Sequence, residues 1–162
     1  MVAALSLRVY TGASAGTQSA AVTGIDLISA DNATNTLGNR QANPITVGTN
    51  SYEKWLKLYV DTIPANGVTN FKIWGDGAVM TSTTLNFTAA YITGATPTTG
   101  ASSVAASNFT GFTAGNKATW DATSYTNTAA TTKFVVFQLV VASDAGPGNW
   151  TQETISYSYD ET

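Results

Sequence analysis

The stretch SYEKWLKLYVDT, residues 51–62, places two carboxylates and two lysines beside one tryptophan and two tyrosines. Two carboxylates held about 5–10 Å apart can hydrolyse a glycosidic bond. An aromatic side chain offers a broad apolar face with a polar edge, to which a sugar or another protein can bind. These residue types are compatible with a reactive site or with a β-strand whose outer face carries charged and aromatic side chains.

The chain contains no cysteine and no histidine. Thiolate nucleophiles, serine–histidine triads and H-E-x-x-H zinc sites are therefore excluded. The segments DNATN (31–35) and GDG (75–77) offer oxygen ligands but lack the spacing of a calcium loop. Most carboxylates fall in turns or at strand ends, where Asp bonds its own backbone. We therefore predict a protein that is not an enzyme, with no cofactor and no catalytic or metal-binding residue.

The composition indicates a β-rich chain. Hydrophobic residues make up 43% of the 162 residues and charged residues 10%, and Thr, Ser, Asn, Ala and Gly supply most of the rest. That balance is typical of strands and turns. The length predicts a single domain over residues 1–162.

The charge distribution bears on partners and location. The net charge is −3, and the seven basic residues are scattered singly, so we expect neither a nucleic-acid partner nor an anionic membrane surface. No stretch reaches the ~20 apolar residues of a membrane span. The first residues, MVAALSLRVYTG, alternate like a strand and not like a signal peptide, which predicts a protein made in the cytoplasm of its host.

Period-two alternation of apolar and polar residues recurs along the chain and predicts eight to ten short strands, without a sustained helical repeat. KFVVFQLVVAS (133–143) is apolar on both faces, as in a central strand covered on each side, and DAGPGN then turns it into a terminal hairpin. The predicted fold is an all-β, antiparallel two-sheet β-sandwich, immunoglobulin-like or jelly-roll, with long polar loops. The predicted strands are 4–10, 21–29, 44–48, 52–61, 69–75, 82–92, 133–143 and 150–160, with further short strands within 109–121.

The dipeptide Asn66-Gly67 favours a tight turn, which would make strands 52–61 and 69–75 neighbours. Their outward side chains would then form one aromatic and cationic surface. Three interpretations remain open for this surface: core covered by a second sheet or loop, a protein interface, or a platform that stacks on a sugar. The candidate interface residues are Trp55, Lys57, Tyr59 and Trp74.

Two segments are rich in small polar residues and low in core-forming side chains. They are residues 11–23 and TGATPTTGASSVAAS, residues 93–107. Such sequences do not build a core of their own. We interpret both as candidate extended arms that become ordered against a neighbouring subunit.

Three segments carry a resemblance to a known class of proteins. NPITVGTNSYEKWLKLYVDT, FKIWGDGA and GNWTQETISYSYDET resemble small structural proteins encoded beside the major capsid protein of tailed bacteriophages, and they are similar in type to capsid decoration, or cement, proteins. The stretch FVVFQLVVASDAGPGNWTQETISYSY resembles the last two strands of bacterial immunoglobulin-like domains, which supports the sandwich.

The resemblance implies a non-enzymatic structural protein of a phage virion, located on the capsid surface. Its partner would be the major capsid protein, and it would form a homo-oligomer, as a trimer on threefold positions. Each subunit would bridge neighbouring capsomers through an apolar face and an extended arm. Two alternatives stay open: a carbohydrate-binding β-sandwich module on a virion or bacterial surface, and a tail or connector protein.

Overall fold

The computed structural model describes residues 2–77, 81–146 and 153–162. These ranges contain nine strands, one short α-helix and two single-turn 3₁₀ helices at Ala13–Ala15 and Phe109–Gly111. The helix α1 is Leu37–Ala42. The strands are β1 (Ala4–Thr11), β2 (Thr17–Gln18), β3 (Lys54–Thr62), β4 (Val68–Gly75), β5 (Thr83–Tyr91), β6 (Ser107–Asn108), β7 (Ala118–Asp121), β8 (Phe134–Val141) and β9 (Ile155–Glu161).

The strands form two sheets in which every pairing is antiparallel. The larger sheet has the order β2-β1-β3-β8-β5-β6, and the smaller sheet has the order β7-β4-β9. Their inward faces share one hydrophobic core, so the predicted all-β two-sheet sandwich is confirmed.

The period-two pattern correctly identifies the inward residues of the central strands. Leu56, Leu58 and Val60 of β3 meet Phe71 and Ile73 of β4 in this core, and all five are buried. Successive side chains of a strand point to opposite faces, so the alternating apolar residues lie on the side between the sheets. Strand β8 lies between β3 and β5 and is buried on both faces, as its continuous apolar run predicts.

Two predicted strands do not form. In 21–29 only Val22 makes a strand-like bridge, to Leu7, and 44–48 contains no strand. A strand needs a partner for its backbone groups, and among the described residues neither segment is paired with a strand beyond the single bridge at Val22. The long polar loop contains α1, whose first turn is capped by the Thr36 hydroxyl accepting from Asn39 N at 3.2 Å.

Two predicted hairpins are also wrong. Strand β3 pairs with β1 and β8 but not with β4, and β9 pairs with β4 and not with β8. The connection 63–67 does turn, with Gly67 at φ 107°, yet it carries the chain from one sheet to the other. Five residues are long enough to cross the ~10 Å between stacked sheets, whereas a two-residue turn forces its strands to pair. The second connection falls partly on residues 147–152, outside the described ranges.

Within the described ranges, no helix has the length and apolarity to cross a membrane.

Candidate functional site

Trp55 lies on the outer face of the larger sheet but is completely buried, with 0% of its surface exposed. Its Nε1 donates to Oε2 of Glu53 at 3.0 Å. Its ring packs edge-on against Phe134 at 5.2 Å and Tyr91 at 5.6 Å between centroids. The core interpretation therefore holds for Trp55, which is not available to a sugar or a partner.

A chain segment covers this part of the outer face. Residues 92–106, the covering segment, are joined to β8 by Gln138, whose Oε1 accepts from Ser102 N at 2.9 Å and whose Nε2 donates to Gly100 O at 2.8 Å. Glu53 N donates to Thr98 O at 3.0 Å, and the Ser102 hydroxyl donates to the Glu53 carboxylate. Buried polar groups on the sheet thus satisfy the backbone of the covering segment.

The second candidate arm is also packed against its own sheet. Strand β2 pairs with β1, Ser19 N donates to Val9 O at 2.8 Å, and Gly12 N donates to Oδ2 of Asp31 at 2.8 Å. The predicted arms 11–23 and 93–107 therefore lie on the sandwich and do not project from it. Both segments find hydrogen-bond partners within the same chain.

Lys54 satisfies backbone carbonyl groups of the long polar loop. Its Nζ donates to Ala30 O at 2.9 Å and to Asn32 O at 2.7 Å, while the side chain is 2% exposed. Burial lowers its pKa from 10.5 to about 8, although the carboxylates of Asp31 and Asp26 act in the opposite direction. A buried ammonium therefore holds this loop against the sheet.

The asparagine side chains of the long polar loop form hydrogen bonds with one another. Asn32 and Asn39 exchange two side-chain hydrogen bonds of 3.0 Å, and Asn43 Nδ2 donates to Oδ1 of Asn39 at 3.0 Å.

No group of three or more Asp, Glu, His or Cys residues suited to a metal ion occurs in the described part of the chain.

The remainder of the outer face carries a cation–aromatic patch, formed by Arg8, Tyr10, Lys57, Tyr59 and Phe134. Lys57 Nζ lies 4.1 Å from the Phe134 ring centroid, and Arg8 Cζ lies 5.0 Å from that of Tyr59. Such cation–π contacts are worth about 0.5–2 kcal/mol each. Tyr10 and Phe134 are themselves buried, at 9% and 5% exposed, so the patch exposes mainly Arg8, Lys57 and part of the Tyr59 ring.

The register places Arg8 directly opposite Lys57. Like charges in that position destabilise a strand pair. Burial lowers the pKa of Lys57, and Asp121 acts against that shift. Asp61 lies 3.7 Å from Arg8 and compensates part of the repulsion. Each cation also lies over an aromatic ring of the patch, and these contacts offset a further part of the repulsion.

Trp74 lies on the outer face of the smaller sheet, on the opposite side of the sandwich. It is half-buried, and Lys117 Nζ lies 4.1 Å from its ring centroid. Of the four candidate residues, the structure therefore brings together Lys57 and Tyr59, buries Trp55 beside them and separates Trp74. A shared sugar platform does not form, because β3 and β4 belong to different sheets.

Asp121 is a buried carboxylate that spacing in the sequence did not identify. Its Oδ2 accepts from Tyr125 OH at 2.7 Å and from Lys133 N at 2.8 Å, and Lys133 Nζ lies 3.3 Å from Oδ1. Burial raises the pKa of Asp121, but these hydrogen bonds outweigh burial and hold the pKa below its usual value. Burial and the bond to Asp121 raise the pKa of Tyr125. The group fixes the connection between β7 and β8.

A cleft of about 1380 Å³ lies between the sheets, and the sequence pattern does not predict it. Leu5 and Leu7 of β1 line it, together with residues 21–28 on one side and Ile155 and Tyr157 of β9 on the other. We refer to it as the inter-sheet cleft. The signal that could have suggested it is the alternation in 21–29, a strand pattern without a strand partner.

No protein-family model, curated protein or solved structure matches this chain.

Proposed function

We propose that the chain is a non-enzymatic structural protein of a phage virion, a capsid decoration protein that binds the shell surface and stabilises it. The observation that carries the proposal is the cation–aromatic patch. Interface cores are enriched in aromatic residues and arginine, and this patch presents Arg8 and the half-buried ring of Tyr59 beside Lys57. The resemblance of the three sequence segments to decoration proteins supports the same conclusion.

A bridging subunit needs more than one contact surface. Each outer face of the sandwich carries an aromatic–cation contact: Lys57 with Phe134 on the larger sheet and Lys117 with Trp74 on the smaller. One face would meet an acidic region of the major capsid protein, and the other would meet a neighbouring copy. Stable specific interfaces bury about 1,200–2,000 Å² in total, so each added subunit contributes contact area across a seam of the shell.

The loops fit this role because they are held close to the sandwich. Gln138, Lys54 and Asp121 each satisfy the backbone of a different connection. A rigid surface loses little conformational entropy when it binds. The protein can therefore act as a preorganised clamp, with faces and not arms making the contacts.

The test uses shells assembled without this protein from the phage that encodes it. Purified protein should bind over the whole shell surface and raise the temperature at which the shell opens. Lys57→Gln should weaken binding roughly tenfold, since a desolvated charge contact is lost. Gln41→Glu changes the net charge by the same amount on the exposed face of α1 and should bind as the unmodified protein does.

Three results would overturn the proposal: failure of the unmodified protein to bind, unchanged shell stability, or equal binding by Lys57→Gln. Copies confined to a single vertex would identify a connector or tail role instead. Electron microscopy of the same particles distinguishes these outcomes.

A further inference from the structure

One wall of the inter-sheet cleft has backbone groups without partners. Val22 N donates to Leu7 O at 3.0 Å, and Ile28 O accepts from Tyr52 N at 2.9 Å, so the two ends of this wall are fixed. Between them lie residues 23–27, the unpaired segment, whose backbone makes no hydrogen bond to any part of the chain that the structure describes. The sequence here alternates like a strand, and the structure lacks the strand that would pair with it.

The opposite wall is a strand edge. Strand β9 is the last strand of the smaller sheet, and among the described strands it pairs only with β4. Ile155 and Tyr157 line the cleft, and Tyr157 is 39% exposed. The free edge of a strand presents a row of unpaired N–H and C=O groups, which is a template for another chain.

The floor and sides of the cleft are apolar. Leu5 and Leu7 are half-buried at its base, and Ile25, Leu27 and Ile155 pack partly against the main core. A second apolar surface is required to remove these side chains fully from water.

Two carboxylates in the cleft have buried oxygens without a hydrogen-bond donor among the described residues. Asp26 is 8% exposed; its Oδ1 accepts from Arg40 NH1 at 2.9 Å, but its buried Oδ2 has no partner among the described residues. Glu153 stands on the β9 side, and within the same ranges neither of its buried oxygens has a partner. Buried carboxylate oxygens without donors are costly, so they favour an occupant that brings cationic or N–H donors.

We propose that the inter-sheet cleft is the docking groove for an extended segment of a second, different polypeptide, one with alternating apolar side chains and a lysine or arginine between them. The segment enters as a strand between β9 and the unpaired segment, its apolar side chains cover Leu5 and Leu7, and its cation reaches Asp26 or Glu153. Peptide recognition by strand addition takes affinity from main-chain hydrogen bonds and specificity from alternate side chains.

The size and charge of the cleft favour this occupant over two others. A volume of 1380 Å³ exceeds the ~300–1,000 Å³ of most small-molecule sites. A second copy of this chain is disfavoured because its two long segments of small polar residues, 11–23 and 93–107, contain no Lys or Arg and already lie on their own sheet. The proposal does not depend on a virion location. If the proposed function holds, the segment belongs to the shell protein.

The test uses a synthetic peptide of about seven residues, which spans ~23 Å when extended, with valine and threonine alternating around a central lysine. It is titrated into the full-length protein while backbone amide resonances are followed by NMR. Amides of the unpaired segment and of β9 should shift and become protected from exchange. A control peptide with two threonines replaced by proline cannot form a strand and should not bind.

Variants of the carboxylates test the charge requirement. Asp26→Asn and Glu153→Gln should each bind the lysine peptide about tenfold more weakly and should lose the preference for it over a peptide with glutamine at the centre. Asp160→Asn alters an exposed carboxylate of β9 outside the cleft and should leave binding unchanged.

Three observations would overturn the proposal. Equal binding of the proline peptide would identify a nonspecific apolar surface. Protection of the unpaired segment without any peptide would show that the cleft closes on itself. Absence of binding in the unmodified protein would exclude strand addition. None of these outcomes bears on attachment to a shell, so failure here and failure of the proposed function can be told apart.

Discussion

The covering segment and the unpaired segment are both irregular stretches beside the larger sheet, but they are held in different ways. In the covering segment, the amides of Ser102, Val104 and Ala105 all donate hydrogen bonds, to Gln138 or to the Ser102 hydroxyl. In residues 23–27, no backbone group is bonded to the described part of the chain. The covering segment is hydrogen-bonded within the chain, whereas the backbone of the unpaired segment is left without partners in the described part of the chain.

The two segments differ in which part of the structure carries the buried polar side chains, the sheet or the segment itself. Gln138 extends from the sheet and satisfies the backbone of the covering segment, and the Glu53 carboxylate accepts from the Ser102 hydroxyl of that segment. Asp26 belongs to the unpaired segment itself and keeps an oxygen without a donor among the described residues. Satisfied polar groups hold the covering segment on the sheet, whereas the unsatisfied oxygen of Asp26 is where we propose that a partner's donor binds.

The largest effect is expected beneath the covering segment. Trp55→Ala should lower the free energy of unfolding by about 4 kcal/mol, because a fully buried tryptophan is removed and Glu53 loses a donor. Trp74→Ala removes a half-exposed ring on the other sheet and should cost about 1 kcal/mol or less. Urea denaturation of both variants measures the difference. Equal losses would mean that Trp55 is exposed and that the covering segment does not cover it.

An intermediate effect on the free energy of unfolding is expected for Glu53, and a smaller one for Asp26. Glu53→Gln leaves one acceptor oxygen for two donors, Trp55 Nε1 and the Ser102 hydroxyl, and turns an amide nitrogen towards the other donor, so it should cost about 2 kcal/mol. Asp26→Asn should change stability by less than about 1 kcal/mol, because weakening of its ion pair with the exposed Arg40 is offset by removal of the desolvation cost of a buried carboxylate. Chemical denaturation at pH 7 distinguishes the two. A larger loss for Asp26→Asn would contradict the assignment of an unsatisfied carboxylate.

The smallest effect concerns Lys54 and is seen as pH dependence. Its pKa is about 8 in the folded chain and 10.5 when unperturbed, so the unfolded chain binds more protons between these values and stability rises with pH. Relative to Lys54→Met, the free energy of unfolding should increase by about 1.5 kcal/mol from pH 8 to 9.5. Urea denaturation over this range measures it. A parallel pH dependence in the two proteins would show that Lys54 is solvated.

The sequence predicts what depends on local pattern. Alternation over 52–61 and 69–75 correctly identifies Leu56, Leu58 and Ile73 as core, and the double-sided apolar run identifies β8 as central. These are properties of a strand and its two faces, and they hold whichever strand lies beside it.

The rest depends on contacts between distant residues. Trp55 has an outward pattern, yet a segment some forty residues later covers it through Gln138, and small polar residues such as Ser102 give no sign of that role. The pairing partners of β3 and β9 are set by how the connections cross between sheets and not by their own sequences. The alternation of 21–29 indicates a strand, but only the structure shows that its partner is not among the described strands.

Native-state hydrogen exchange of the isolated protein tests the contrast between the two segments most directly. Amides of Ser102, Val104 and Ala105 should exchange roughly 100-fold or more slowly than in an unfolded chain. Ser102 N donates to Gln138 of the sheet, and the other two amides donate to the Ser102 hydroxyl, which is itself bonded to Glu53. Amides of residues 23–27 should exchange nearly as fast as in an unfolded chain. Equal protection of the two segments would contradict the account, since the cleft would then have no free wall for a partner to occupy.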